Sequence, residues 1–185
     1  SVKLLEEQPA EASVADEPVA EPVTGKISLE YNLKDIIQFE EDREHEFKSL
    51  QKAKDPVKTI LEFYVEKYVN AFLNTNGGAL YFGIDDNGQI LGVRLDRTQR
   101  DNLRTGVSKL INKFQPSVEP ELYAINFICL DDKTELYVVE IHVAKGTANL
   151  YMTGGQNFYI RRDGSNFLMP FDMIRSRIHD AAETE

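Results

Sequence analysis

Apolar positions recur along this chain in two rhythms. Val57, Ile60, Leu61, Tyr64, Val65, Tyr68 and Phe72 fall three or four residues apart, the period of one helix face. Asp55 and Pro56 stand just ahead as an N-cap and a first-turn proline. Leu103, Val107, Leu110, Ile111 and Phe114 repeat that period and predict a second helix over 96–115, which Pro116 stops. Phe171, Ile174 and Ile178 predict the inner side of a closing helix over 170–182. Leu33, Ile36, Ile37 and Phe39 suggest a helical turn covering the domain edge.

The second rhythm has a period of two and marks strands. Residues 27–31 alternate. Residues 121–128 and 135–143 read as strands, with 130–133 turning between them as an antiparallel hairpin. Residues 150–152 and 158–162 flank Thr153-Gly154-Gly155-Gln156 as another hairpin, and 163–166 is a turn. Residues 79–84 form a short apolar run with aromatics, as a covered strand does. Asn74, Asn76, Gly77 and Gly78 ahead of it tolerate a left-handed helix end. Asp86-Asn87-Gly88 behind it is a turn signal, and 89–93 returns along the run. The sum predicts an α+β fold: a mixed, mostly antiparallel twisted sheet built from hairpins, with helices packed on it.

Composition sharpens the domain limits. The 185 residues carry a formal charge of -10, and residues 1–40 alone hold nine acids against three lysines. Residues 1–26 are rich in Glu, Ala, Pro and Val without a period, so they read as an acidic disordered tail ahead of one domain over 27–182. The acidic total argues against a general nucleic-acid-binding surface but leaves room for a local basic one. Cys129 is the one cysteine, so no disulfide framework and no cysteine-rich zinc site is expected. No apolar run reaches the ~20 residues that span a bilayer, and no signal peptide opens the sequence. An intracellular, cytoplasmic setting is the expectation.

Candidate chemistry gathers before the first long helix. Glu40, Glu41, Asp42, Glu44 and Glu46 interleave with Arg43, His45 and Lys48. On a strand over 43–48, Glu44, Glu46 and Lys48 share one face, with Arg43, His45 and Phe47 on the other. Glu41 and Glu46 are an odd number apart, so a straight strand separates them and only a bend brings them together. A charged edge strand, blunted against aggregation, also explains this composition. Arg97, Arg100 and Arg104 form a basic row on the second helix, extended by Lys109 and Lys113; it reads as a solvated face or a phosphate contact. His142, beside Glu140 on one strand face, reads as structural.

The order of these motifs resembles the divergent AlbA-type domain of the Schlafen family and its bacterial relatives. The resemblance rests on Glu46-Phe47-Lys48, on Tyr68 to Gly78, on Leu80 to Gly88 and on Asn157 to Asn166, and covers roughly 35–180. It implies a metal-dependent endoribonuclease acting on structured or precursor small RNA, such as tRNA-like RNA. Glu41, Glu46 and Asp85 would bind Mg or Mn, with Asp86 the alternative to Asp85, and Lys48 would assist catalysis. Arg97, Arg100, Arg104, Arg161 and Arg162 are the expected phosphate contacts. The resemblance also implies a bend ahead of the Glu-Phe-Lys strand and a second Schlafen-like protomer as partner, in a homo- or hetero-oligomer. Two other readings stand beside the nuclease: a non-catalytic scaffold subunit of an RNA-processing complex, and a nucleic-acid-binding regulatory module. The structural zinc of vertebrate members is not expected, because Cys129 stands alone.

Overall fold

The structure, a computed structural model, describes residues 30–182. The tail expected over 1–26 lies outside the described residues, as do 27–29 of the first expected strand; Glu30 and Tyr31 are not in a strand. Asp55 caps the first helix by accepting the Lys58 amide at 3.0 Å. That helix, α1 (Pro56–Ile60), passes through a π-helical turn (Leu61–Val65) and continues as α2 (Glu66–Leu73). Its buried side carries Ile60, Val65, Val69, Phe72 and Leu73. Asp96 and Gln99 cap α3 (Arg97–Ile111) reciprocally. This helix ends four residues short of the expected 115.

The sheet is four strands wide. β1 (His45–Lys48) runs parallel to β2 (Gly77–Phe82), and β2 pairs antiparallel with β5 (Leu136–Ala144). β4 (Tyr123–Asp131) lies antiparallel on the far side of β5. β3 (Val93–Arg94) pairs with β5 beyond the end of β2. The expected β-hairpin over 79–93 is therefore only partly formed. Ile84 and Ile90 make one bridge, then the chain swings across to β5. Gly83 and Gly92, both at positive φ, let the two backbones nearly touch: a Cβ on Gly83 would lie 2.8 Å from the Gly92 Cα.

Both faces of the sheet are covered. Leu80, Phe82, Val139, Ile141 and Val143 pack under the helices. Phe47, Ala79, Tyr81 and Val138 pack under an arm carrying Tyr31, Ile37 and Phe39. The arm is not the helical turn expected over 33–39. Lys34 donates its amide to Ile90 O at 2.7 Å and Ile37 donates to Gly88 O at 2.9 Å, which fixes it as an extended strap.

The C-terminal part departs from expectation twice. Residues 150–152 do not pair with 158–162; Met152 exchanges two backbone bonds with Gln115 instead. The hairpin is β6 (Tyr159–Arg162) with β7 (Ser165–Leu168), turned by Asp163 and Gly164 at φ 50 and 76. The closing helix α4 (Phe171–Ala182) has no buried residue, and Phe171 and Ile178 of its expected inner side are exposed. Among the described residues no helix is long and apolar enough to cross a membrane.

Candidate functional site

β1 positions the acidic motif. Its pleat sends Phe47 into the arm-side core and turns Glu46 and Lys48 toward the helices. Glu46 is only 7% exposed, so its carboxylate requires partners. It has three. Arg161 Nη2 donates to Oε2 at 2.9 Å, the Tyr68 hydroxyl donates to Oε1 at 2.9 Å, and the Lys48 ammonium pairs with Oε1.

Arg161 comes from β6 and is 3% exposed. Its guanidinium also donates to Asp42 O at 2.9 Å, Arg43 O at 3.2 Å and Asn166 Oδ1 at 3.1 Å. It lies 5.6 Å from the Tyr68 ring and 5.4 Å from the Phe72 ring, a stacked and forked use that a lysine could not copy. Burial, with the Glu46 charge beside it, pushes the Tyr68 hydroxyl above its ordinary range. Tyr68 therefore remains a proton donor to Glu46.

The hairpin that carries Arg161 is held by α2. Asn70 Oδ1 accepts the Tyr159 amide at 2.7 Å, and Asn74 Nδ2 donates to Tyr159 O at 3.1 Å. Asn74 Oδ1 also accepts the Tyr151 amide at 2.6 Å. Asn74, expected at a left-handed helix end, keeps φ -81; Gly77 and Gly78 take the positive φ values instead. The sequence held a sign of this role: two asparagines four apart, where the helix turns toward the interior, predict buried hydrogen bonds.

The other expected acids are placed differently. Glu41 Oε1 accepts the Phe47 amide at 2.7 Å. Asp85 Oδ1 accepts the amides of Asn87 and Gln89, each at 2.9 Å, and so builds its own turn. Glu41 and Asp86 line one cleft of about 570 Å³ together with Glu40, Phe47 and Asn87. Glu46 leaves β1 on the opposite face from Phe47. The bend before β1 is real: Asp42 Oδ1 accepts the amides of Glu44 and His45, both at 2.7 Å. Partial burial opposes ionisation of Asp42, yet these amides and the His45 ring hold its carboxyl below the usual carboxylate range.

Glu41, Glu46 and Asp85 thus do not form a cation cluster. Among the described residues no group of three His, Cys, Asp or Glu side chains could hold a metal ion. A Mg or Mn ion at Glu46 would have to displace a guanidinium and an ammonium, so the donor set does not fit one. What the motif does form is a buried carboxylate held by two cations, the buried Arg161 and the partly exposed Lys48.

The expected phosphate contacts divide. Arg161 is buried. Arg100 lies over the Tyr137 ring at 4.5 Å and donates to Leu95 O at 2.6 Å. Arg104 lies over Phe127 at 4.6 Å and pairs with Asp101 at 3.1 Å. Arg97 and Arg162 are exposed, with Arg162 3.9 Å from Asp163.

A second polar cluster, not expected as a cluster from the sequence, sits on the arm-side sheet face. Glu140 is 1% exposed and accepts from the Tyr31 hydroxyl and, at 2.8 Å, from His142 Nε2. Burial works against its charge, but the bonds from His142, Tyr31 and Asn126 hold its carboxyl below the usual range. This cluster ties the arm to β5.

The family described as Schlafen, AlbA_2 matches residues 41–170, which takes in the acidic motif, the glycine-supported strand and the hairpin of Arg161. Among solved structures, the DIP2311 protein from Corynebacterium diphtheriae is similar at 20% identity and a TM-score of 0.48, over 69% of this chain and 22% of that one. The present chain thus spans about a fifth of that protein's length. By the extent of its match, this chain is a member of the Schlafen, AlbA_2 family.

Proposed function

We propose that this domain is an RNA-handling subunit that works beside a second Schlafen-like protomer and does not cut RNA alone. The family supports a nucleic-acid-related role. The observation that carries the rest is the state of Glu46: its carboxylate is bonded to Arg161, Tyr68 and Lys48. A carboxylate so held organises the fold and is not available to a metal ion. Of the expected cations, Arg97, Arg104 and Arg162 are exposed and Lys48 is partly exposed, so these have surface for phosphate, and such contacts position RNA without reading its sequence.

The test uses the purified chain with labelled structured RNA, with Mn present or chelated by EDTA. The reading expects salt-sensitive binding and no Mn-dependent cleavage until a second Schlafen-like protein is added. Mn-dependent cutting by the chain alone, abolished by Glu46→Ala in a folded variant, would sink it. That outcome would establish the second reading, a metal-dependent endoribonuclease using Glu41, Glu46, Asp85 and Lys48. What favours that reading is the complete Glu41-x4-Glu46-Phe47-Lys48 motif within the matched region. Preference for duplex DNA over RNA would point instead to a regulatory module.

A further inference from the structure

We propose that the cleft between the π-helical turn and α3 takes an unpaired RNA nucleotide, with its base stacked on Phe63 and its phosphate on Lys109. The inference rests on the RNA-handling reading and adds a substrate class to it: the single-stranded nucleotides of a loop, a bulge or an end. The cleft holds about 630 Å³, within the range of sites that enclose a molecule of nucleotide size. Leu61, Leu110 and Tyr159 give it apolar walls, and Gly106 leaves the α3 side bare. A Cβ on Gly106 would lie 2.5 Å from the Leu61 side chain.

Phe63 is the residue that packing does not explain. It is 66% exposed. The other exposed large apolar side chains lie on the arm or from Leu168 onward, whereas Phe63 stands in the middle of the main core helix. A lone exposed apolar residue is ordinary, but this one is continuous with an apolar cleft. The backbone is unusual at the same place. Phe63 is the central residue of the π-helical turn Leu61–Val65, and such turns are rare and concentrate at functional sites. Within the turn Val65 is buried and Tyr64 packs on Phe82, while Phe63 lines the cleft.

Charge selects the occupant. Lys109 lines the cleft from α3, with Lys113 one turn further on. Both are exposed, and neither side chain has a hydrogen bond or ion pair among the described residues. No acid of α3 lines the cleft. The opposite wall is mixed. Lys67 stands there with Glu62, which is 3.8 Å from Lys58, and with Glu66, which accepts the Gly155 amide at 3.4 Å. An anionic backbone therefore belongs along α3, with its base turned toward Phe63. A flat aromatic face beside a cationic track is what proteins offer to single-stranded nucleic acid, because every unpaired base presents a π-face. In a duplex those faces are covered. An apolar peptide would use the walls and Phe63 but would leave the lysines without a countercharge.

Fluorescence anisotropy of the full chain with a labelled, unstructured single-stranded RNA tests this, with the same RNA annealed to its complement as the comparison. The single strand should bind more tightly than the duplex. Phe63→Ala should weaken single-strand binding about fivefold to a hundredfold, the range expected for loss of one base stack, with an unchanged melting curve. Phe63→Tyr should keep the wild-type affinity, because it keeps the ring. Lys109→Ala should lower the slope of log affinity against log salt by about 0.7, one phosphate contact on a single strand. Wild-type affinity in Phe63→Ala, or a preference for the duplex, would overturn the proposal and leave the RNA reading standing. Binding of neither RNA would defeat the RNA reading itself and this inference with it.

Discussion

The two edges of the sheet are opposites. β1 has four residues, three of them charged or ionisable, and its outer side is closed by the segment just before it. Asp42 donates its amide to His45 O at 3.0 Å, and Glu41 Oε1 accepts the Phe47 amide at 2.7 Å. β4 has nine residues, is mostly apolar on both faces, and no described residue bonds its outer backbone. Glu41, one of the acidic residues that suggest a catalytic motif, is part of what closes the β1 edge. A carboxylate that accepts a strand amide protects a sheet edge as effectively as a charge that repels a neighbour. In this domain Glu41 and Asp42 serve the closed edge, and the longer, more apolar edge is on the other side.

Breaking the closed edge should have the largest effect. Arg161→Ala leaves the Glu46 carboxylate buried and poorly paired, and should cost about 3–5 kcal/mol of unfolding free energy by urea titration. A loss below 1 kcal/mol would mean that Arg161 does not hold this corner. Glu41→Ala removes only the acceptor of the Phe47 amide and should cost about 1–3 kcal/mol. If β1 then becomes a sticky edge, light scattering should register larger species than for the wild type. If the melting temperature falls without them, edge protection is not the role of Glu41.

Acid sharpens the comparison further. Asp42 at the β1 bend and Glu140 under the arm both have carboxyls held below their ordinary range in the folded state. For such groups the unfolded chain binds protons first as pH falls. Their stabilisation is present above the ordinary carboxylate pKa and is lost as pH drops through their lowered folded values. Stability should therefore fall on the acid side, and Glu140→Gln should flatten that fall. An unchanged acid slope in the variant would contradict the assignment. The smallest effect belongs to the other edge: Cys129→Lys, at an exposed position, should change stability by no more than about 0.5 kcal/mol.

Much of this was legible in the sequence, because periodicity and capping are local. Asp55, Asp96 and the apolar stripe of α1 and α2 state their roles within a few residues. Lys48 was legible as a neighbour of Glu46 on one strand face, but Arg161 was not, because it reaches Glu46 from 115 positions away. Its sequence neighbours supplied a motif and no geometry. The β2 return failed for a similar reason: Asp86-Asn87-Gly88 specifies a turn, but Gly83 and Gly92 decide that the two backbones touch once and separate. α4 misled because amphipathic spacing records an apolar face, not what covers it. The row Arg97, Arg100 and Arg104 gave the right helix face, yet Tyr137 and Phe127, residues of distant strands, take up two of the three.

A double-mutant cycle on Glu46→Gln and Arg161→Gln, read by urea unfolding of the full chain, reaches the central claim most directly. The account predicts a coupling near the upper end of the range of about 0.5–3 kcal/mol seen for residues in contact, with each single change destabilising. A coupling near zero, or a Glu46→Gln variant more stable than the wild type, would contradict it: such a carboxylate would be one kept for a ligand and not for the fold.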